Sequence, residues 1–140
     1  IELINTAMTT SVMNDMYATI DCVILDTYNG NVEFIKNGAC PTYIKTKTGV
    51  QEIKDASVPV GMSNSVKSVT YDKDLESGDI VVICSDGIHD SGEENWIKNI
   101  LEKIQTDNVQ KISDIIINEA IDNNYGNAKD DMTIIVARVR

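Results

Sequence analysis

The run Ile80-Val81-Val82-Ile83-Cys84 is apolar at every position and then breaks into Ser85-Asp86-Gly87. A strand without alternation needs cover on both faces, so it belongs inside a layered fold. A second passage does the reverse: Asp130 and Asp131 lead straight into the apolar stretch Met132 to Val139. If the two strands are neighbours, their carboxylates meet at one end of a sheet. Each pattern alone is ordinary. Asp-Gly commonly ends a strand, and adjacent carboxylates on an extended chain point opposite ways, so at most one of Asp130 and Asp131 turns inward. Together they say more: converging carboxylates without Cys or His suit a hard cation, Mg²⁺ or Mn²⁺, rather than zinc. Such ions activate water for attack on phosphorus.

The rest of the chain supplies a frame for that meeting. Ile1, Leu3, Ile4, Ala7, Met8 and Val12 recur at helical spacing, with Asn14-Asp15 closing the segment. Tyr17 to Asp26 alternates, and Asn29-Gly30 predicts a hairpin into a strand over Val32 to Lys36. A break at Asn37-Gly38 precedes strands at Tyr43 to Lys45 and just after Thr48-Gly49, which reads as an antiparallel meander. Val66 to Tyr71 and Ile80 to Ser85 are expected strands. Two helices follow, with apolar stripes Trp96, Ile97, Ile100, Leu101, Ile104 and Val109, Ile112, Ile115, Ile116, Ala120, Ile121. Strands, then a helical pair, then one returning strand predict an α+β fold with a largely antiparallel sheet.

Composition narrows the function classes. Twelve Lys+Arg against 22 Asp+Glu give a net charge of -10, which repels a phosphate backbone and argues against nucleic acid as a partner. No apolar run is long enough to cross a bilayer. Cys22, Cys40 and Cys84 sit in strand-like apolar contexts without zinc-ligand spacing, so buried free thiols and a cytoplasmic setting are expected. The chain opens at Ile1, inside an apparent amphipathic helix, as a segment cut from a longer protein would.

"SDGIHD" and "KDDMTIIVARV" resemble the last two acidic motifs of the PP2C-like (PPM) metal-dependent protein phosphatases. Further segments fit the bacterial sporulation branch of that family in order: "YATIDCVILDTYNGNVEFIKNGACPTYI", "VPVGM", "LESGDIVVICSDGI" and "EENWIKNIL". Trp96-Ile97 and "NGACPTYI" favour that branch, the stage II sporulation E phosphatases, over its stress-response relatives. The resemblance spans nearly the whole chain. It implies a PP2C-like sandwich of antiparallel β-sheets flanked by α-helices, with a two-metal Mn²⁺ or Mg²⁺ centre. It also implies serine/threonine phosphatase activity without a phosphoenzyme intermediate. Asp86 and Asp130 would be metal ligands. Gly87, Asp90 and Asp131 would support them; Asp131 stands where many relatives carry Asn. The implied substrate is a phosphorylated anti-sigma-factor antagonist, and the implied setting is the cytoplasmic face of a membrane, tethered through upstream regions. The resemblance also admits a homodimer.

One departure counts against completeness. The family's earlier motif, an Asp-Gly pair in a Gly-rich stretch whose aspartate bridges the two metals, has no match in these residues. Asp21 and Asp26 are no substitutes, since neither is followed by Gly. Residues 1–140 therefore read as the C-terminal portion of a single PP2C-like phosphatase domain, its N-terminal part missing. The rival reading is a non-catalytic interaction module that keeps the scaffold. His89 reads as a loop residue flanking the site, Trp96 as packing, and Gly38 and Gly61 as turn glycines. Ser85 lacks the Gly-x-Ser-x-Gly setting of a nucleophile.

Overall fold

The computed structural model describes residues 1–10, 16–54, 56–128 and 130–140. They form two compact units, Ile1–Ala39 with Asp55–Asp74, and Cys40–Lys54 with Leu75–Arg140. Each unit is built on its own antiparallel sheet.

In the first unit, helix α1 (Glu2–Thr9) precedes strands β1 (Ile20–Leu25), β2 (Asn31–Asn37) and β5 (Val69–Asp74), in the order β1-β2-β5. The period-2 pattern of β2 buries Val32, Phe34 and Lys36 on one face. Lys36 is 0% exposed and lies directly across from Asp21 on β1, with Nζ 2.5 Å from the Asp21 carboxylate. A buried cation is tolerated here because its counter-ion is built into the neighbouring strand. Asn5 ties α1 to the loop after Val60: its amide donates to Ser63 O and its carbonyl oxygen accepts from Gly61 N–H. Gly61 needs to be glycine twice over, with φ +85 and a Cβ position only 2.3 Å from Met16 O.

The expected meander is interrupted after its second strand. At Asn37-Gly38 the chain leaves the first sheet instead of adding a third neighbour. Gly38 sits at φ +62 with Pro59 packed against it, and Asn37 is buried and accepts from Ser68 Oγ. These contacts turn the backbone out of the sheet. The next strands, β3 (Thr42–Thr46) and β4 (Gly49–Ile53), belong to the second unit with β6 (Ile80–Cys84) and β7 (Ile134–Arg138), in the order β4-β3-β6-β7.

Three helices complete that second unit: α2 (Asp86–His89), α3 (Trp96–Lys103) and α4 (Val109–Asn123). Ile80, Val82 and Cys84 from one face of β6 share a core with Tyr43, Val50, Ile88, Ile97, Leu101, Ile112, Ile116 and Ala120. Full burial of each aliphatic side chain stabilises the fold by about 1.5–3 kcal/mol. Ile112, Ile116 and Ala120 recur at i, i+4, i+8 and dock α4, whereas Ile115, expected in that stripe, is exposed. Asn108 caps α4 by accepting from Lys111 N–H. Lys45, reaching from β3, donates to the carbonyls of Leu101 and Ile104 and satisfies the C-terminal end of α3.

The cysteines differ from the expected trio of buried thiols. All three are free, but Cys22 is exposed on β1, Cys40 is partly exposed outside the strands, and only Cys84 is buried. No helix among the described residues is long and apolar enough to cross a membrane.

Two stability predictions follow from these cores. Asp21→Ala leaves Lys36 buried without its counter-ion and lowers stability by about 3–5 kcal/mol in urea unfolding, while Asp21→Val with Lys36→Met recovers most of the loss. Burial, reinforced by the Glu52 carboxylate, raises the Tyr43 phenol well above its usual range. A group whose folded pKa is raised contributes its full stability below the unfolded pKa of about 10 and loses it as pH climbs beyond. Chemical denaturation above pH 10 will therefore show a shallower loss of stability in Tyr43→Phe than in the native chain.

Candidate metal centre

β6 and β7 pair antiparallel with Cys84 opposite Ile134. The ladder continues one step past the strand ends, because Ser85 N–H donates to Thr133 O at 2.9 Å. The Ser85 hydroxyl clamps the same junction: it accepts from Thr133 N–H at 3.0 Å and donates to Asp131 O at 3.1 Å. Its role is structural, and it is spent on the backbone beside the carboxylates.

Past this clamp the backbone turns into α2, anchored by the fully buried Ile88. The expected strand-ending turn at Asp86-Gly87 is thus the first turn of a short helix. Gly87 is where the two segments touch. A Cβ there would stand 2.4 Å from Asp131 O and 3.3 Å from Asp130 Cβ, so only a hydrogen fits between them. Its backbone angle is not what demands glycine; the neighbouring backbone is.

These constraints bring Asp86, Gly87, Asp90 and Asp130 to one cleft of about 230 Å³, which Ser91 and Asn124 also line. Asp86 and Asp130 therefore share one end of neighbouring strands. Asp131 does not line the cleft; it contributes its carbonyl to the contacts with Ser85 and Gly87. Each of the two principal carboxylates is held by the next amide along the chain. Asp86 Oδ1 accepts from Gly87 N–H at 2.9 Å, and Asp130 Oδ1 accepts from Asp131 N–H at 2.8 Å. Asp90 Oδ1 lies 2.8 Å from His89 Nδ1. His89 itself is outside the cleft lining, and its carbonyl accepts from Trp96 Nε1–H at 3.1 Å, which fastens the α2–α3 connection.

The donor set is all oxygen, apart from the carboxamide nitrogen of Asn124, and that is the chemistry of Mg²⁺ or Mn²⁺. Among the described residues no group of three His, Cys, Asp or Glu side chains is disposed to hold an ion. Two carboxylates with water completing the shell remain a fitting set, since Mg²⁺ is ordinarily bound through one or two carboxylates.

Sequence reasoning passed over Ser91 and Asn124. Ser91 read as loop. Asn124 closes α4, and a polar residue at a helix end reads as a cap. Only the direction in which α4 ends reveals that it faces the acidic cleft.

The family model for stage II sporulation protein E (SpoIIE) matches residues 1–140. Stage II sporulation protein E of Bacillus subtilis (strain 168) is 28% identical over 144 residues, covering 99% of this chain and 17% of its own length. The solved phosphatase domain of the cell fate determinant SpoIIE from Bacillus subtilis, presoaked in Mn, superposes with a TM-score of 0.80 at 27% identity, over 99% of this chain and 63% of that one. A second structure, of the PP2C phosphatase domain with a fragment of the regulatory domain of the same protein, gives a TM-score of 0.86 at 28% identity, over 96% of this chain and 42% of that one. The chain thus has the fold of those domains, two antiparallel sheets with flanking helices, and spans under two thirds of the proteins it matches.

The close approach at Gly87 has a measurable consequence. Gly87→Ala forces the β6–α2 turn away from residues 130–131 and costs about 1–3 kcal/mol in thermal or urea unfolding. Ser85→Ala, which deletes the clamp without adding bulk, costs about 1 kcal/mol.

Proposed function

Since the chain belongs to the stage II sporulation protein E family, we propose that it is the C-terminal portion of a metal-dependent serine/threonine phosphatase domain. The observation that carries the reading is the convergence of Asp86 and Asp130 on one oxygen-lined cleft at the end of paired strands. In this role the two aspartates are ligands to Mn²⁺ or Mg²⁺. Asp90 adds negative charge at the rim, Gly87 permits the approach, and Asp131 braces it through its carbonyl.

A bound divalent ion supplies charge neutralisation for a phosphate ester and lowers the pKa of water at neutral pH. The protein's part is positional. Ser85 and Gly87 set the spacing of the carboxylates, and the buried Ile88 fixes the helix that carries Asp86. The acidic lining repels a phosphate until a cation offsets it, which couples substrate entry to metal loading. The substrate class is a phosphoserine on an anti-sigma-factor antagonist, so that dephosphorylation controls a sporulation sigma factor. The protein would act on the cytoplasmic side of a membrane, held there by regions outside these residues, and a homodimer is compatible with this arrangement.

A second reading has one observation in its favour. The described residues hold no three-ligand acidic group, as a non-catalytic module that keeps the scaffold would not.

One experiment separates the two. The full-length protein, assayed with Mn²⁺ on a phosphoprotein or an aryl phosphate, will turn over substrate. It will lose on the order of a hundredfold or more of that rate on Asp86→Asn or Asp130→Asn, because ion-mediated charge stabilisation is worth several kcal/mol. Mn²⁺ will also raise the melting temperature of the native protein and not of the doubly substituted one. A full-length protein that is inert, and whose melt ignores Mn²⁺, is the interaction module.

A further inference from the structure

A phosphate monoester brings a charge near -2 and acceptor oxygens, and carboxylates offer it acceptors only. Three of the six residues lining the cleft are aspartates, so the ester needs hydrogen-bond donors from the other wall. Most donors there are already committed. Gly87 N–H is bound to the Asp86 carboxylate, Asp90 N–H to Asp86 O, Ser91 N–H and its hydroxyl to Ile88 O, and Asn124 N–H to Ile121 O. One side chain remains. Asn124 is 5% exposed, lines the cleft, and its carboxamide has no hydrogen-bond partner among the described residues. An amide that deep is ordinarily paired; one left unpaired at a cleft wall is provided with its partner by whatever enters.

We propose that Asn124 is a substrate-binding residue, donating from Nδ2 to a non-bridging phosphoryl oxygen. This rests on the phosphatase reading for the identity of the ligand and adds a neutral donor to it. A neutral amide suits the position. It binds the phosphoryl oxygen without competing for the cation, as another carboxylate would, and without pairing permanently with Asp86 or Asp130, as a lysine would. Its placement is secured from behind, since Ile112, Ile116 and Ala120 lock α4 into the core and Asn124 follows directly on that helix.

The test uses the full-length Mn²⁺-loaded protein with inorganic orthophosphate as the probe in calorimetry, and aryl phosphate turnover in parallel. Asn124→Ala will weaken orthophosphate binding roughly three- to tenfold, as loss of one hydrogen bond does. It will raise KM by the same factor while leaving kcat nearly unchanged, with the Mn²⁺ midpoint of the thermal melt unmoved. Asn124→Asp, isosteric and guarding against a folding defect in the alanine variant, will lose orthophosphate binding more severely. Three results overturn the proposal: orthophosphate affinity in both variants equal to that of the native protein, a loss that tracks weakened Mn²⁺ binding or a lowered melting temperature, or no orthophosphate binding by the native protein. If binding depends on Asn124 but the native protein hydrolyses nothing, the catalytic reading falls and the assignment of Asn124 stands.

Discussion

Everything at the candidate centre depends on the register between β6 and β7. Cys84 opposite Ile134 brings Ser85 level with Thr133, and from that step onward the geometry is over-determined. The Ser85 hydroxyl takes one hydrogen bond and gives another across the junction, and Gly87 admits the carbonyl of Asp131 where any side chain would exclude it. A slip of one residue would turn every β7 side chain to the opposite face and carry Asp130 away from Asp86. The apolar alternation of the two strands, sealed by the helices on one face, is what forbids the slip. Packing of the second unit and placement of its carboxylates are therefore one constraint.

The first unit solves a different problem. Its sheet must accommodate a lysine with no exposure, and it does so by register again: Asp21 and Lys36 are direct cross-strand partners. An aspartate that might be mistaken for part of an acidic centre is thus committed to the sheet. Asn5 similarly spends both ends of its amide on the loop that follows Val60. Polar side chains in this half act as fasteners.

The strands and the α3–α4 pair were legible in the sequence because their periodicity is strong and their turns carry Asn-Gly, Asp-Gly and Thr-Gly signals. Asp86, Asp90 and Asp130 were legible as neighbours because each sits at the edge of an apolar run whose partner strand can be guessed. What escaped notice was non-local. Nothing in "IKNGACP" says that the chain abandons its sheet at Gly38; the reason is Pro59, far along the sequence. Ile115 fits the apolar stripe of α4 yet faces outward, since the core reaches only as far as Ile112 and Ile116. Cys22 has the composition of a core residue but lies on the open side of β1. Asn124 carries no local mark at all, because its meaning comes from the helix that positions it.

The habit of Asp86 and Asp130 of accepting from the very next amide has a thermodynamic reach beyond geometry. Each carboxylate has a rotamer preference fixed by its own backbone before any ion arrives. The entropy of freezing those side chains is therefore lost during folding rather than during complexation. An entering cation meets ligands that are already oriented, and selection among cations falls to their radius and hydration, not to their ability to organise a floppy loop.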